Sequence, residues 1–248
     1  MRRALLADIH SNLEALEAVL ADAREQQVSE IYCLGDVVGY GPDPIACIDL
    51  AMKFELTLLG NLDQAVIFEP DGFFGPVARN AVHWTRQQLE QCPDPHAQQR
   101  LDWLLQLPKL HYEPDRLYVH GSPRESTNEY VFPEDAFNQR KMNALFSRVE
   151  KYCFQGHTHI PGVFTDDFQF LAPEECDNVF LLPTGKMMCN VGSVGQPRDG
   201  DPRACYAILT DDSVIFRRIE YPFHITAAKI YEIPPLDDCL GDRLEAAR

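Results

Sequence analysis

Short apolar runs alternate with amphipathic stretches through roughly the first half of the chain. The run 4–7 (Ala-Leu-Leu-Ala) reads as a buried strand, and Asn12 then caps a helix whose apolar positions Leu13, Leu16, Val19 and Leu20 recur at helical spacing. A second strand follows at 31–34, a second helix at 42–53 and a third strand at 56–59. This β-α-β-α-β order predicts parallel pairing with right-handed crossovers.

Residues 76–106 predict two helices broken at Cys92-Pro93-Asp94-Pro95, where proline forbids continuation. Together with their flanks, about 64–108, they are expected to form a helical insertion beside the mouth of any site. A strand is expected at 117–119, a helix at 133–147 and a strand at 152–154. The runs 163–164, 168–171, 179–182, 186–189, 204–209 and 214–219 then predict a second, more antiparallel sheet. Tyr221-Pro222 opens a last amphipathic helix to about 232, and the tail 234–248 is expected to be peripheral. The expected fold class is α/β, a two-sheet β-sandwich of mixed strands flanked by helices, in a single domain over 1–248.

Composition narrows the function. Hydrophobic residues make up 45% and charged residues 24%, values of an ordinary globular chain with no repeat or low-complexity tract. With 38 acidic and 22 basic side chains the net charge is -16, and no Lys/Arg block exists. Nucleic acid is therefore not an expected partner, and a nuclease is disfavoured. A phosphorylated substrate would have to be attracted locally, and bound cations are the obvious means. The eight cysteines are scattered without a C-x-x-C pair and read as reduced thiols. No signal-peptide core and no apolar run of about 18 residues is found, so a cytoplasmic protein with no membrane partner is expected.

Seven short words mark the ends of expected strands. They are Asp8-Ile9-His10, Gly35-Asp36, Gly60-Asn61-Leu62-Asp63, His120-Gly121, Gly156-His157-Thr158-His159, Asn190-Val191-Gly192-Ser193 and Gln196-Pro197-Arg198-Asp199. Asp8 and His10 stand two apart at a strand end, so carboxylate and imidazole can reach one ion. Asp36, Asn61 and His120 each follow a different strand, where open α/β sheets gather their ligands. With His157 and His159 the first five words offer eight ligand positions, the number needed by two adjacent divalent ions that share a carboxylate. Oxygen and imidazole donors without thiolate suit manganese, iron or zinc. Two such ions about 3.5–4 Å apart would clamp a phosphoryl group and lower the pKa of a bridging water so that hydroxide attacks in line.

The order D-x-H, G-D-x-x-G, G-N-x-D, H-G, G-H-x-H resembles the calcineurin-like metallophosphoesterase superfamily, in particular the small bacterial branch labelled diadenosine tetraphosphatase or serine/threonine protein phosphatase related. The likeness runs from Arg3 to about Tyr221 and includes the stretches 39–44 and 192–201. It implies Asp8, His10, Asp36 and His159 on a first metal and Asp36, Asn61, His120 and His157 on a second, with Asp36 bridging. Asp36, Asn61 and His120 would act catalytically through those metals. Asn12 and Arg198 fall where this branch places polar groups near the phosphate or the metal loops and are the candidate substrate contacts, and Asn190 and Ser193 fall where it holds the loop facing the His pair.

One departure is informative. The superfamily's G-N-H-[DE] word appears as Gly60-Asn61-Leu62-Asp63, and its G-D-x-V-D-R-G word as 35–41 with Gly39 and Tyr40. The catalytic His, its partner Asp and a phosphate-clamping Arg are thus absent together. General-acid help is commonly worth ~10²–10⁴ in rate, so leaving groups that need little protonation are expected: phosphoanhydrides or aryl esters over phosphoserine. Asp63 could partly replace the acid. The alternative is a low-activity binding or scaffold protein that keeps the fold. Blander readings stand beside several residues: Arg198 pairs with Asp199 or a neighbouring carboxylate, Tyr40 packs a loop, and His83, His96, His111 and His224 are structural or solvent-facing. The pair Phe73-Phe74, and likewise Tyr130, could line a nucleobase pocket, with an apolar plug the plainer reading.

Overall fold

In the computed structural model, which describes residues 2–68 and 74–248, β1 (Arg3–Leu6) is buried and hydrogen-bonded along both edges. One edge pairs in parallel with β2 (Glu30–Cys33), which pairs in parallel with β3 (Leu56–Thr57). Helices α1 (Leu13–Glu25) and α2 (Pro44–Ala51) connect them, as the sequence pattern predicts. The other edge of β1 takes β11 (Ala204–Leu209) antiparallel, followed by β12 (Ser213–Ile219) and β9 (Val179–Leu181). The second six-stranded sheet runs β4 (Leu110–Glu113), β5 (Arg116–Val119), β6 (Tyr152–Gln155), β10 (Met187–Asn190), β7 (Gly162–Thr165), β8 (Phe170–Leu171). It mixes parallel pairs at its centre with antiparallel pairs at both ends.

The two-sheet architecture is as expected, but the strands divide differently. The strands after residue 160 do not form a sheet of their own: β9, β11 and β12 complete the first sheet, and β7, β8 and β10 the second. Local alternation marks a strand; which open edge it joins is settled by packing between distant segments. β1 and β6 each had an edge to offer.

Alternation along β1 sets the layers. Leu5 points between the sheets with Ala207 and Leu209, meeting Tyr118, Phe154 and Cys189 of the second sheet. Ala4 and Leu6 point outward with Tyr206 and Ile208, onto Leu16 and Val19 of α1. The outer face of the second sheet, Leu117, Val119, Cys153 and Met188, is covered by Met142, Leu145 and Phe146 of α6 (Gln139–Phe146). At the start of β1 the buried Arg3 binds Glu113 at 2.8 Å and Glu30 at 2.7 Å, tying the two sheets together.

Three elements depart from the pattern. α3 (Asn61–Ile67) follows β3 directly, starting on a Gly60 N-cap. The helix expected at 133–147 is a 3-10 turn, Pro133–Phe137, then α6, because the Asn138 side chain caps α6 by accepting from Lys141 N. The tail, expected to be peripheral, folds as α8 (Cys239–Ala246). It buries Leu236, Leu240 and Leu244 against Ala227 and Ile230 of α7 (Phe223–Tyr231) and against Ala81 and Trp84 of α4 (Pro76–Glu90). Its leucines recur at four-residue spacing, a helical signal that the two nearby prolines mask. α4 and α5 (Ala97–Gln106) flank the expected break at 92–95. Among the described residues no helix is long and apolar enough to cross a membrane.

Candidate metal centre

The candidate donor residues lie beyond the carboxyl ends of β1, β2, β3, β5 and β6, all on loops except Asn61, which opens α3. The first two loops are bonded to each other: Asp8 N donates to Gly35 O, His10 N to Asp36 O and Ser11 N to Val37 O, each at 3.0 Å. These turns are tight. Asp8, His10, Asp36, His157 and His159 all hold positive φ, between 50° and 69°. Such conformations are costly for residues with a Cβ and concentrate at functional sites. Gly60 is required by close approach, because a Cβ there would lie 2.1 Å from Asp36 Oδ1.

Two buried groups of donors result: Asp8, His10 and His159, and beside them Asp36, His120 and His157. In the first, His159 Nε2 lies 3.1 Å from His10 Nε2 and 3.4 Å from Asp8 Oδ1. In the second, His120 Nε2 lies 3.0 Å from His157 Nδ1, 3.0 Å from Asn61 Oδ1 and 3.5 Å from Asp36 Oδ2. Asp36 Oδ2 is also 3.9 Å from His10 Nε2, so this carboxylate faces both groups. The structure thus brings together all seven residues expected as ligands.

Backbone carbonyls fix the rings. His120 Nδ1 donates to Leu34 O at 3.0 Å, His157 Nε2 to Asn128 O at 3.2 Å and His159 Nδ1 to Gln196 O at 2.5 Å. A neutral imidazole has one N–H, so the remaining nitrogen of each ring presents a lone pair to the centre. With both rings neutral, as metal ligation requires, His120 Nε2 and His157 Nδ1 face each other as two acceptors; burial disfavours a charge on His120, but the carboxylates of Asp36, Asp8 and Asp63 outweigh it and raise its pKa, so cation binding there has to displace a proton. Among the described residues Asp8 Oδ1 is buried with no hydrogen-bond donor. Acceptors held this close repel unless cations lie among them, and the donor set fits divalent metal ions.

Protonation follows the same logic. Burial holds His10 and His157 well below the ordinary imidazole range and lowers His159, keeping all three in the neutral, ligating form. Burial also pushes Asp36 up to about 8, with His120 opposing and the charges of Asp63 and Asp8 adding to the rise. For Asp8 burial again resists ionisation, and positive charge at the neighbouring imidazoles, His159 first, is what outweighs it and holds the carboxyl far below its usual value; with those rings neutral and ligating, a cation would have to supply that charge. A divalent cation beside Asp36 would reverse the effect of burial on it.

Residues 1–213 match the calcineurin-like phosphoesterase superfamily domain. The chain belongs to that superfamily. An uncharacterized protein of Methanocaldococcus jannaschii is 33% identical over 257 aligned residues, covering 99% of this chain and 98% of the relative. The crystal structure of a metallophosphoesterase from Sphaerobacter thermophilus superposes with a TM-score of 0.81 at 37% identity, covering 100% of this chain and 99% of the other. A hypothetical protein from Pyrococcus horikoshii OT3 shares the fold at TM-score 0.77 and 18% identity, covering 100% and 98%.

Within this calcineurin-like phosphoesterase the surrounding residues take different parts. Asn12, expected near the phosphate or the metal loops, bonds the loop at Gly195 and is saturated and only 1% exposed. Its Oδ1 accepts from Ala15 N and Thr226 Oγ1, while Nδ2 donates to Gly195 O and Tyr221 Oη. It caps α1 and has no polar atom left for substrate. Asp63 is equally enclosed: Oδ1 accepts from Val38 N at 3.0 Å and Oδ2 from Gly60 N at 3.1 Å, so it braces the metal loops and is not placed as an acid. Asn190 Nδ2 donates to Gly156 O and Thr158 Oγ1, and Ser193 Oγ to Asp8 O, holding the His-pair loop against the first strand.

Arg198 does not pair with Asp199, which binds Arg218. Its guanidinium bonds Gln196 Oε1 at 2.7 Å and lies 5.9 Å from the Tyr40 ring centroid, and Tyr40 is 4.8 Å from the His10 ring. His83, His96 and His224 are exposed, and His111 packs edge-on to Tyr32. Phe73 lies outside the described residues. Phe74, Tyr40 and Tyr130 line a cavity of about 630 Å³ that reaches Asn61 and His157. Tyr130 stacks on His157 at 3.7 Å between ring centroids. The carbonyls of Leu34, Asn128 and Gln196 carry no side-chain signal, so their part in orienting the rings could not be read from the sequence.

Proposed function

We propose that this protein is a metal-dependent phosphohydrolase built on a dinuclear centre. Asp8, His10, Asp36 and His159 would hold one ion, and Asp36, Asn61, His120 and His157 the other. The observation that carries this reading is the position of Asp36 Oδ2, 3.9 Å from His10 Nε2 in one donor group and 3.5 Å from His120 Nε2 in the other. Two divalent ions, manganese, iron or zinc, would there neutralise a phosphoryl group and lower the pKa of a water shared between them. The chain's own part is to hold seven donors rigidly, keep the imidazoles neutral and present Arg198 beside the centre as a contact for phosphate.

The leaving group is read from what lines the site. Leu62 and Gly39 supply no proton donor, and the adjoining cavity is walled by Tyr40, Phe74 and Tyr130. This favours a small substrate that leaves as a stable anion, a phosphoanhydride or an aryl phosphate. Eight free thiols favour a reducing compartment, the cytoplasm.

The test is a manganese-supplemented assay with p-nitrophenyl phosphate, its bis ester, diadenosine tetraphosphate and a phosphoserine peptide, run beside Asp36→Asn. The reading expects the aryl and anhydride substrates to outrun the peptide and Asp36→Asn to lose all turnover. Faster hydrolysis of phosphoserine would refute the leaving-group argument. The missing dyad also favours a second reading, a scaffold that keeps the fold; wild-type activity no greater than that of Asp36→Asn on every substrate would establish it.

A further inference from the structure

Arg198, Arg243 and Arg248 line one open cavity of about 440 Å³, together with Tyr40 and residues 75–78. In a chain of net charge -16 this convergence runs against the composition. Among the described residues none of the three is in an ion pair: the Arg198 guanidinium bonds Gln196 and faces Tyr40, Arg243 feels Asp237 only at longer range, and the adjacent Asp199 is taken by Arg218. Guanidinium groups left without carboxylates around a concave surface are the usual receptor for phosphate oxygens.

A second feature has the same sign. The cavity wall at 75–78 is the Gly75 N-cap and first turn of α4, a helix of 15 residues. Pro76 has no N–H and Arg79 N bonds Gly75 O, while the N–H groups of Val77 and Ala78 have no acceptor within the helix. The positive end of the helix dipole therefore adds to the three cations.

The cavity adjoins the one that reaches the metal centre at Asn61 and His157, sharing Tyr40, Gly75 and Ala78 with it. Arg198 N bonds His159 O at 3.3 Å, so its side chain starts from the backbone of a donor residue.

Resting on the phosphohydrolase reading above, we propose that this arginine cleft binds a second phosphate group of the substrate while the first lies at the donor groups. The preferred substrate then carries two or more phosphates in series and is bound across Tyr40. An isolated monoester fills only half of the site.

Binding and turnover test this separately. Inorganic tripolyphosphate is titrated calorimetrically into EDTA-treated, dialysed protein, which needs neither metal nor catalysis. Arg243→Gln/Arg248→Gln is expected to weaken binding about tenfold or more. Arg140→Gln/Arg148→Gln, in and just after α6 and equal in charge change, is expected to bind as wild type does. Equal affinity in all three proteins, or equal loss in both variants, overturns the proposal. With manganese-loaded enzyme, the ratio of KM for diadenosine tetraphosphate to KM for p-nitrophenyl phosphate is expected to rise in Arg243→Gln/Arg248→Gln. An unmoved ratio despite lost tripolyphosphate binding would mean that the cleft serves a free anion, and overturns the assignment to substrate. Absence of turnover on every substrate would count against the phosphohydrolase reading, and the calorimetric result would still decide whether the cleft takes phosphate.

Discussion

Leu62 packs directly over Gly39: a Cβ built at Gly39 would stand 2.7 Å from Leu62 Cδ1. These are the two positions at which the superfamily's protein phosphatases place the His and Asp of their dyad. The positions have stayed neighbours, but an apolar contact replaces the polar pair, and Leu62 is buried. Its backbone still serves the centre, since Leu62 N donates to Asp36 Oδ1 at 2.8 Å.

That contact makes Gly39 sensitive. It holds φ +100°, and any side chain there must displace Leu62. Gly39→Ala is expected to destabilise the protein by about 1–3 kcal/mol through strain and overpacking. Leu62→Ala alone should cost about 2–5 kcal/mol as a cavity, and the double variant less than the sum. Urea denaturation of the four proteins checks the coupling; strictly additive losses would contradict the contact.

Metal removal should be visible without any substrate. Ions bound only by the folded state at about 100 times their Kd stabilise by about 2.7 kcal/mol, roughly 5–10 °C in Tm for a chain of this size. The melting temperature should therefore rise with manganese and fall with EDTA. In Asp36→Asn, which weakens the carboxylate facing both donor groups, most of that shift is expected to vanish. A manganese-dependent shift of the same size in this variant would show that the ions bind elsewhere.

Asn12 separates structure from substrate contact. With four hydrogen bonds inside the fold, Asn12→Ala should cost about 1–3 kcal/mol by leaving Thr226, Tyr221 and the α1 N-terminus short of partners. KM for p-nitrophenyl phosphate should hold. A raised KM with unchanged denaturation midpoint would return Asn12 to the phosphate.

The candidate donors were legible because side-chain chemistry at strand ends is local: Asp8, His10, Asp36, Asn61, His120, His157 and His159 all announce themselves by type and spacing. Two kinds of information were not. Left-handed turns at Asp8, His10, Asp36, His157 and His159 carry no glycine to mark them. Their strain is sustained by hydrogen bonds between loops far apart in sequence, such as His157 N to Asp8 Oδ2. Groupings made by tertiary packing were equally hidden. Arg198 stands in a recognisable word, yet Arg243 and Arg248 reach the same cavity only because α8 folds back onto α4 and α7. Sheet membership of β7 to β12 fails for the same reason, since nothing within a strand names its partner.

Acid should find the protein's outer ion pairs before its core. Asp22 on α1 accepts from Arg217 at 2.6 Å and from Tyr206 Oη at 2.6 Å. Burial works against its ionisation, but these two donors outweigh it and hold the carboxyl below its usual value. A carboxylate with a depressed folded-state pKa contributes stability that is whole above its unfolded pKa of about 3.9 and is lost as pH falls through the folded value. Urea midpoints should therefore decline below about pH 4 in the wild type. Asp22→Asn should start from a lower midpoint at pH 6 and decline less steeply. Parallel curves for the two proteins would mean that Asp22 titrates alike folded and unfolded, and that Arg217 and Tyr206 do not hold it.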